Sequence, residues 1–291
     1  TVPEAKPENA AFDVFTGTVT KVDVWNGMTY FRLAAFADDG ETDFVVVEGR
    51  TVVSDTIGLA DLSAIKVDDI VTAYYVRPLM MTLQYPPRYD ASVLLVRGAD
   101  NPGGAFVGLV NKDGFASDRS VKLNVADGTP TTLQSSGAAY TGALTNRILI
   151  AYYTVETRSI PPQAIVEKIV VLDKLGLPIF VNDVRLFNAE AITKADGTVL
   201  VPLRAISEAL NYTVTWDAAA NQARIGVGHV VTLGSDEYAV GRAVPQKLEA
   251  KAELINDLTY VPVSFFTQIM GLTLDDSAGL VALAGKAAAA D

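Results

Sequence analysis

An ordered set of motifs occurs twice in the first part of this chain, and the repeat limits the folds that it can adopt. Ala-Tyr-Tyr followed by Pro-Pro lies in VTAYYVRPLMMTLQYPP (residues 71–87) and again in ILIAYYTVETRSIPP (residues 148–162). FTGTVTK at residues 15–21 and FVGLVNK at residues 106–112 precede them, each near the start of its copy. Because the order of the motifs is kept while the loops differ in length, we interpret the two stretches as copies of one folding unit.

Each copy has the sequence pattern of β-structure. SVKLNVADG at residues 120–128, which echoes YFRLAAFADDG at residues 30–40, alternates apolar and polar side chains at its centre. ILIAYYTV at residues 148–155 is almost continuously apolar, β-branched or aromatic, as in a central strand. The pattern predicts a mainly β protein with two tandem OB-like barrels of about five strands each, over residues 13–99 and 104–173.

The paired tyrosines have two interpretations. Adjacent residues of a strand face opposite sides, so at most one tyrosine of each pair can lie on a given face. In the first interpretation, one ring of each pair packs in the core and the other covers the flank of the barrel. In the second, outward-facing aromatic rings form a stacking platform for a ligand such as an oligosaccharide. The candidate binding aromatics are Trp25, Tyr74, Tyr75, Tyr152 and Tyr153.

The C-terminal third contains a second duplication. TVLVPLRAISEALNYTVTWD at residues 198–217 has the pattern of a strand, a helix and a strand, and LTYVPVSFFTQIMGLTLDD at residues 258–276 repeats it. Asn211 and Gly271 follow the two helical stretches, where a left-handed residue often ends a helix. The helical spacing places three apolar residues of the first copy on one face: Leu203, Ile206 and Leu210.

These C-terminal residues resemble a known family. PIFVNDVRLF, GTVLVPLRAISEALNYTVTWD and ARIGVG, followed by TYVPVSFFTQIMGLTL, are similar to the copper amine oxidase N-terminal-like domain, also called the stalk domain. The resemblance covers residues 177–285 and implies a small duplicated α+β module, used as a spacer or adhesion element by exported proteins of Gram-positive bacteria. Asn211 departs from the glycine that the family usually has after this helix.

The resemblance does not imply oxidase chemistry, because the stalk is not the catalytic part of those enzymes. Their catalytic domain uses three copper-binding histidines and a tyrosine that becomes a quinone in an Asn-Tyr-Asp/Glu context. Here His229 is the one histidine of the chain, and Asn211-Tyr212 is followed by Thr213. Neither copper nor the quinone is therefore expected.

The rest of the sequence offers no constellation for catalysis. There are no cysteines and one histidine, which excludes disulfides, thiol nucleophiles and metal sites that need two histidines from one chain. The chain has neither a Gly-x-Ser-x-Gly elbow nor a phosphate-binding Gly-x-x-x-x-Gly-Lys loop. We therefore predict that the protein is not an enzyme, with no catalytic residues, no cofactor and no metal site.

Several single features have a structural and a functional interpretation. The acidic stretches at residues 38–43 and 274–279 are either solvated turns or weak calcium sites, but neither has the spacing of a dedicated calcium loop. We expect Arg204 to pair with Glu208 one helical turn on, and Trp216 to lie in the core.

Composition and the N-terminal residues indicate an exported protein. A net charge of −11 argues against nucleic acid as a partner, and no apolar run is long enough to span a membrane. TVPEAKPENAA resembles a mature N-terminus left after removal of a signal peptide, although a trimmed chain would look the same. We expect flexible tails at residues 1–12 and 286–291 and an extracellular or cell-surface location.

These observations lead to two functional hypotheses. The first is a non-enzymatic structural protein of the bacterial cell surface, whose copies assemble into a filament or layer when the N-terminal segment adds as a strand to a neighbour. Its partner is then a further copy of the chain. The alternative is an adhesion module that binds carbohydrate or a cell-wall polymer. The residues expected in the assembly segment are Phe12, Val14, Phe15 and Val19.

Overall fold

The structure is a computed structural model that describes residues 11–25, 27–36, 40–76, 85–97, 103–116, 120–241, 243–275 and 280–285. The chain divides into two compact units, Thr1–Leu175 and Gly176–Asp291. The prediction of a mainly β protein with a small α+β part is confirmed, with 52% of residues in strands and 7% in helices. None of the helices in the described ranges is long and apolar enough to cross a membrane.

The first copy of the N-terminal repeat forms a closed barrel. Its strands are β1 (Asp13–Trp25), β2 (Met28–Ala35), β3 (Glu41–Val46), β4 (Val52–Ser54), β5 (Ile70–Tyr75) and β6 (Arg88–Arg97). Strands β1, β2 and β3 pair antiparallel in sequence order, β3 pairs parallel with β6, and β5 closes the ring between β6 and β1. The fourth strand pairs parallel with residues 93–95 of β6, on the edge that β3 occupies at residues 88–91, and its Val53 is part of the core.

The barrel is filled by the apolar side chains that alternate along its strands. Val19, Phe31, Leu33, Phe44, Val71 and Leu94 are among the side chains that are at most 1% exposed. Asp43 is also 1% exposed, but it precedes the core residue Phe44 on β3 and therefore lies on the outer face of the barrel. Arg32 and Arg88 donate hydrogen bonds to this carboxylate over 2.8 and 3.1 Å, so the buried charge is compensated.

The second copy uses the same pairing scheme. Its strands are β7 (Gly104–Gly108), β8 (Lys122–Val125), β9 (Thr131–Leu133), β10 (Leu149–Glu156) and β11 (Gln163–Val171). As β5 does with β1 and β6, β10 pairs antiparallel with β7 and β11, while β8 and β9 run parallel to β11 as β3 and β4 do to β6. The register agrees as well, because Phe15 lies opposite Ala73 and Phe106 opposite Ala151.

One correspondence drawn between the two sequences is wrong. The stretch SVKLNVADG, matched above with the residues of β2, takes the place of β3, because β8 is the strand that runs parallel to β11. Where β2 would lie, residues 110–116 make isolated bridges, Val110 with Ala116 and Phe115 with Lys122. A closed second barrel, and the OB-like character of both copies, therefore stay predictions.

The second unit contains two sheets and one regular helix in the described residues. Its elements are β12 (Leu177–Val181), β13 (Val184–Thr193), β14 (Val199–Pro202), α1 (Leu203–Ala209), β15 (Val214–Asp217), β16 (Gln222–Ile225), β17 (His229–Thr232), β18 (Glu237–Val240), β19 (Gln246–Lys247), β20 (Glu253–Ile255), β21 (Leu258–Pro262), a π-helical turn (Phe265–Ile269), β22 (Thr273–Asp275) and β23 (Val281–Ala284). One sheet has the order β20-β21-β14-β13-β12-β23-β22 and the other β15-β16-β17-β18-β19.

The two halves of the second unit pair with each other through the matching strands of the duplicated motif. Strand β14 pairs antiparallel with β21, and Val201 lies directly opposite Val261, its counterpart in the repeat. Asn211 and Gly271 both have positive φ, 63° and 75°, at the ends of the two helical stretches, as predicted. The predicted apolar face of α1 is also confirmed, because the three side chains are at most 1% exposed: Leu203, Ile206 and Leu210.

Candidate functional site

The hairpin between β10 and β11 carries the most exposed large apolar side chain of the described residues. The connecting segment, residues 157–163, is called the 157–163 loop below. Ile160 at its tip is 101% exposed, and Arg158 two residues earlier is exposed as well. Neither side chain is needed for packing, so both are available to a partner.

Hydrogen bonds between alternate residues hold this loop in one conformation. Gln163 N–H donates to Thr157 Oγ1 over 3.0 Å, and Ser159 Oγ donates to the carbonyl of Pro161 over 2.9 Å. Thr157 Oγ1 lies 2.7 Å from Ser159 Oγ. Because the proton of Ser159 is used on the carbonyl, which can only accept, Thr157 must donate to Ser159. The result is a directional chain from residue 163 to residue 161.

The ends of the loop are anchored to the sheet. Thr157 N–H donates to the carbonyl of Gln163 over 2.8 Å, and Lys122 N–H on β8 donates to the carbonyl of Pro162 over 2.9 Å. Asn124 Nδ2 also donates to Gln163 Oε1 over 3.2 Å. The two prolines restrict φ to about −65°. The loop is therefore an ordered chain reversal with bends at residues 158–161, and Arg158 and Ile160 are exposed on it.

Sequence analysis did not identify this loop as a site. The residues TRSIPP were interpreted only as part of the repeat. Pro161 and Pro162 suggested a structural role for this stretch, so Arg158 and Ile160 were not considered. A signal was present, because a hairpin tip without glycine or asparagine that carries an arginine and an isoleucine is unusual for a plain turn. The matching loop of the first copy falls largely within residues 77–84, outside the described residues.

The paired tyrosines are mainly packing residues. Tyr75 is 4% exposed and lies in the core of the first barrel, and its counterpart Tyr153 packs half-buried against the core of the second copy. Tyr74 faces the other way and meets the ring of Phe12 edge-on at 6.1 Å. This arrangement agrees with the first interpretation of the pairs, and no open platform is formed by these rings.

Tyr152 has a role that neither interpretation included. It is 3% exposed, and its hydroxyl lies 2.8 Å from Ser54 Oγ in the first copy. The Ser54 hydroxyl is also 2.9 Å from the carbonyls of Asp55 and Gly58, which can only accept, so Tyr152 donates to Ser54. Burial raises the pKa of Tyr152 to about 12. The outward tyrosine of the second copy thus connects the two copies.

The expected assembly residues lie in or just before strand β1, which is part of the first barrel. Strand β1 pairs with β5 over residues 13–18 and with β2 over residues 17–25, so Val14 and Phe15 are paired on one side and Val19 is paired with β2. Phe12 is 6% exposed, Val19 is 0% exposed and Phe15 packs on the same core, whereas Val14 is 48% exposed. Strand donation by this segment stays a prediction, and residues 1–10 and 286–291 lie outside the described residues.

Trp216 is not a core residue, which corrects the expectation from its alternation with Val214. It is 45% exposed on β15, at the edge of its sheet, where no further strand covers it. Beside it is a groove of about 530 Å³, to which Leu254 and Leu258 contribute exposed side chains. Arg204 lines the same groove and donates to Glu208 Oε1 over 3.0 Å, as predicted. The side chain of Trp25 is outside the described part of the chain.

The described residues contain no group of three or more acidic or histidine side chains that could hold a metal ion. The acidic stretches at 38–43 and 274–279 are only partly described, so their calcium alternative is untested. His229 is half-buried at the start of β17, between the rings of Tyr212 and Phe265 at 6.1 and 6.5 Å. Burial lowers the pKa of His229, and its buried Nδ1 has no hydrogen-bond partner among the described residues.

Comparison with known proteins identifies the C-terminal region. Residues 180–280 match the model of the copper amine oxidase N-terminal domain family, as the resemblance in the sequence implied. A relative from Brevibacillus choshinensis named "Protease inhibitor" is 34% identical over 97 residues, which are 32% of this chain and 29% of the relative. The chain therefore spans less than a third of the length of this relative. No solved structure matches the chain.

Proposed function

We propose that this chain, whose residues 180–280 match the copper amine oxidase N-terminal domain family, is a non-enzymatic extracellular protein that inhibits an endopeptidase. The matched domain is the non-catalytic N-terminal domain of those oxidases, which agrees with a protein that acts by binding. The 157–163 loop is the part that binds. It presents an ordered turn, with Arg158 and Ile160 exposed, to the endopeptidase.

The conformation of the loop is the single observation that carries this proposal. A loop that is already held in one form loses little conformational entropy when it binds, which favours high affinity. The chain of hydrogen bonds from Gln163 through Thr157 and Ser159 to Pro161 supplies this order before any partner is present.

The name of the relative supports the same function. A protein that shares a stretch of 97 residues with this chain is named a protease inhibitor. The name belongs to the relative, and the argument for this chain rests on its own loop.

An inhibition assay tests the proposal. The purified full chain is titrated against serine, cysteine and metallo-endopeptidases with small chromogenic substrates. A matched variant replaces residues 157–162 with glycine and serine. We expect inhibition of at least one endopeptidase by the natural chain and none by the variant, whose folding is checked by circular dichroism. Absence of inhibition across the panel, or equal inhibition by the variant, would contradict the proposal.

A structural role at the cell surface is a second proposal, and the free strand edges of the second unit favour it. Strands β15 and β19 end one sheet, and β20 and β22 end the other, so each is paired on one side only within the described residues of its unit. Such edges can accept a strand from another chain. The donor would be residues 1–10 of a neighbouring copy, and the product a filament or layer.

Assembly is tested by size-exclusion chromatography and electron microscopy of the full chain and of a chain without residues 1–10. This deletion, unlike one of residues 1–12, leaves the contact between Phe12 and Tyr74 intact. Polymers of the full chain that are lost on deletion are expected. A full chain that stays monomeric at high concentration would rule the role out.

The carbohydrate-binding alternative is favoured by the groove beside Trp216. This groove is a better location for a carbohydrate site than the tyrosine pairs are. An exposed indole ring beside polar groups, among them Arg204 and Asp257, is suited to stacking against a sugar ring. Retention of the chain on cell-wall polymers, lost in Trp216→Ala and kept in Tyr74→Ala, is the expected result. Equal retention of all three proteins would exclude the groove.

A further inference from the structure

We infer that the surface around Tyr74 binds a second molecule of this chain, head to tail, by repeating a contact that already joins the two repeat copies of the first unit. This inference rests on the proposed structural role at the cell surface and names the residues through which molecules meet. In the existing contact, the hairpin that follows β4 in the first copy lies against Tyr152 of the second copy. The two copies use different surfaces for it, so each copy keeps the surface that the other one uses.

The existing contact is close and well ordered. Tyr152 donates a hydrogen bond to Ser54 Oγ over 2.8 Å, and its side chain is 3% exposed. Gly58 lies against the second copy as well, because a Cβ added to this glycine would be 3.1 Å from Lys168 Nζ. The hairpin of the first copy thus covers the outer side of β10 and β11 around Tyr152.

The second copy has a hairpin of the same kind, which follows β9. Ser54 forms an isolated bridge with Leu59, and Thr132 forms the matching bridge with Ala139. Thr132 is therefore the counterpart of Ser54, and it keeps a hydroxyl group at the position that accepts from a tyrosine. We call this segment the 132–139 hairpin, and its tip is exposed.

The counterpart of the Tyr152 surface lies on the first copy, and Phe12 covers it. The ring of Phe12 meets the ring of Tyr74 edge-on at 6.1 Å, and Phe12 is 6% exposed. Val14 lies directly opposite Tyr74 on β1 and is 48% exposed. The name Tyr74 face is used below for Val14 and Tyr74, which lie on the same outer side of the barrel.

Comparison of the copies shows what Phe12 replaces. Because Phe15 and Phe106 lie opposite corresponding alanines, Gly103 is the residue at the position of Phe12. In the second copy, a residue without a side chain leaves room for the hairpin of the neighbouring copy. In the first copy, the ring of Phe12 takes the place of that hairpin.

Each molecule therefore has one unused surface of each kind, the Tyr74 face on the first copy and the 132–139 hairpin on the second. A contact between them continues the interface that exists inside the unit. Contacts between two different surfaces produce rings or open filaments, which agrees with an assembling structural protein. Phe12 has to leave the Tyr74 face before the hairpin enters, so its ring limits the association.

Analytical ultracentrifugation of the full chain tests the role of Phe12. The variant Phe12→Gly gives the first copy the residue that the second copy has at this position. We expect it to associate at a concentration at least about 10-fold lower than the natural chain, because the ring no longer competes with the hairpin. Circular dichroism checks its folding, and Phe12→Ala takes its place if the glycine variant is unfolded.

A second substitution tests the hairpin. The N–H of Leu133 donates to the carbonyl of Ala138 as that of Asp55 does to Gly58, so Ala138 is the counterpart of Gly58. Ala138→Arg, combined with Phe12→Gly, places a long charged side chain in the contact and should abolish the gain in association. Ala126→Arg is the matched control, since Ala126 is an exposed alanine outside the hairpin, and it should have no effect.

Crosslinking shows whether the two surfaces meet. The chain has no cysteine, so Val14→Cys and Ala139→Cys each introduce a single thiol, in the Phe12→Gly background. A mixture of the two proteins, treated with a short bismaleimide, should give crosslinked dimers in a larger yield than either protein alone. Equal yields in all three samples would overturn the assignment of these surfaces.

The remaining outcomes separate the inference from the proposed structural role. A Phe12→Gly chain that is folded and monomeric at high concentration, or whose association is unchanged by Ala138→Arg, overturns the inference. Polymers of the natural chain that are lost on deletion of residues 1–10, but that neither substitution changes, overturn it too and leave assembly by strand addition. Monomers of every chain overturn both.

Discussion

Asp43 is a buried charged residue on the outer face of the first barrel, beside the core residue Phe44 on β3. Its carboxylate is 1% exposed and accepts hydrogen bonds from Arg32 and Arg88. An ion pair of this kind adds little stability when compared with an apolar core, but removing one partner leaves an uncompensated buried charge. Loss of the Asp43 carboxylate should therefore cost the barrel more stability than loss of an exposed ion pair.

Replacing Asp43 with asparagine should destabilise the barrel by about 3–5 kcal/mol, because two guanidinium groups lose their counter-charge. Glu41→Gln is the matched control, since Glu41 lies 3.7 Å from the same Arg32 at the partly exposed rim. We expect the control to cost at most about 1 kcal/mol. Urea denaturation followed by fluorescence measures both, and equal effects would contradict the assignment.

His229 makes the stability of the second unit depend on pH. Burial lowers its pKa in the folded state below the usual 6.5, so at mildly acidic pH the unfolded chain binds more protons than the folded one. Stability from this group is present above the unfolded pKa and falls as the pH drops towards the folded pKa. Its neighbours in the described fold are the rings of Tyr212 and Phe265.

We expect His229→Phe to lose this dependence. Urea denaturation of the variant and of the natural chain at about pH 7.5 and about pH 5.5 compares the two. The free energy of unfolding should fall more for the natural chain between these values than for the variant. A parallel fall in both proteins would mean that His229 titrates in the folded state as it does in the unfolded chain.

At the scale of elements, the ends of the two helical stretches illustrate how well local chemistry can be predicted. Asn211 and Gly271 were identified from their position after an apolar helical pattern, and both have positive φ. This success has a simple reason, because a left-handed residue after a helix is favoured by the backbone itself. The order of the 157–163 loop was not identified, because the side-chain hydrogen bonds that hold it depend on how the chain reverses there.

Gly271→Ala should destabilise the second unit by about 1–2 kcal/mol, the cost of a left-handed conformation for a residue with a Cβ. Apart from the glycine and its two chain neighbours, no atom of the described residues lies within 4 Å of the position that this Cβ would occupy, so the cost comes from the backbone and not from a clash. Asn211→Gly should be neutral or slightly stabilising. Thermal unfolding measures both, and destabilisation by Asn211→Gly would show that the Asn211 side chain contributes more than its backbone.

At the scale of the whole molecule, the first unit depends on a contact between its two copies. The hydrogen bond from Tyr152 to Ser54 is buried, and Lys168 lies over the ring of Tyr152 at 5.3 Å. Duplicated sequences are expected to form similar cores, but the same tyrosine of the repeat makes a different contact in each copy. Tyr74, the counterpart of Tyr152, instead meets the ring of Phe12.

A double-mutant cycle of Tyr152→Phe and Ser54→Ala should reveal a coupling of about 0.5–1.5 kcal/mol, the usual contribution of a hydrogen bond between neutral groups. Tyr153→Phe combined with Ser54→Ala is the control and should be additive, because Tyr153 packs against the core of its own copy. An additive result for Tyr152 would mean that the bond does not join the copies in solution.

The sequence alone determined the mainly β architecture, both duplications and the family of the C-terminal region, because periodicity, turn residues and repeated motifs are local properties of the chain. It did not reveal that Trp216 is exposed, that Tyr152 is buried against Ser54, or that β8 takes the place of β3. Those facts depend on which strands become neighbours and which edges stay uncovered. Burial and strand pairing are properties of contacts between distant residues, so only the tertiary structure decided them.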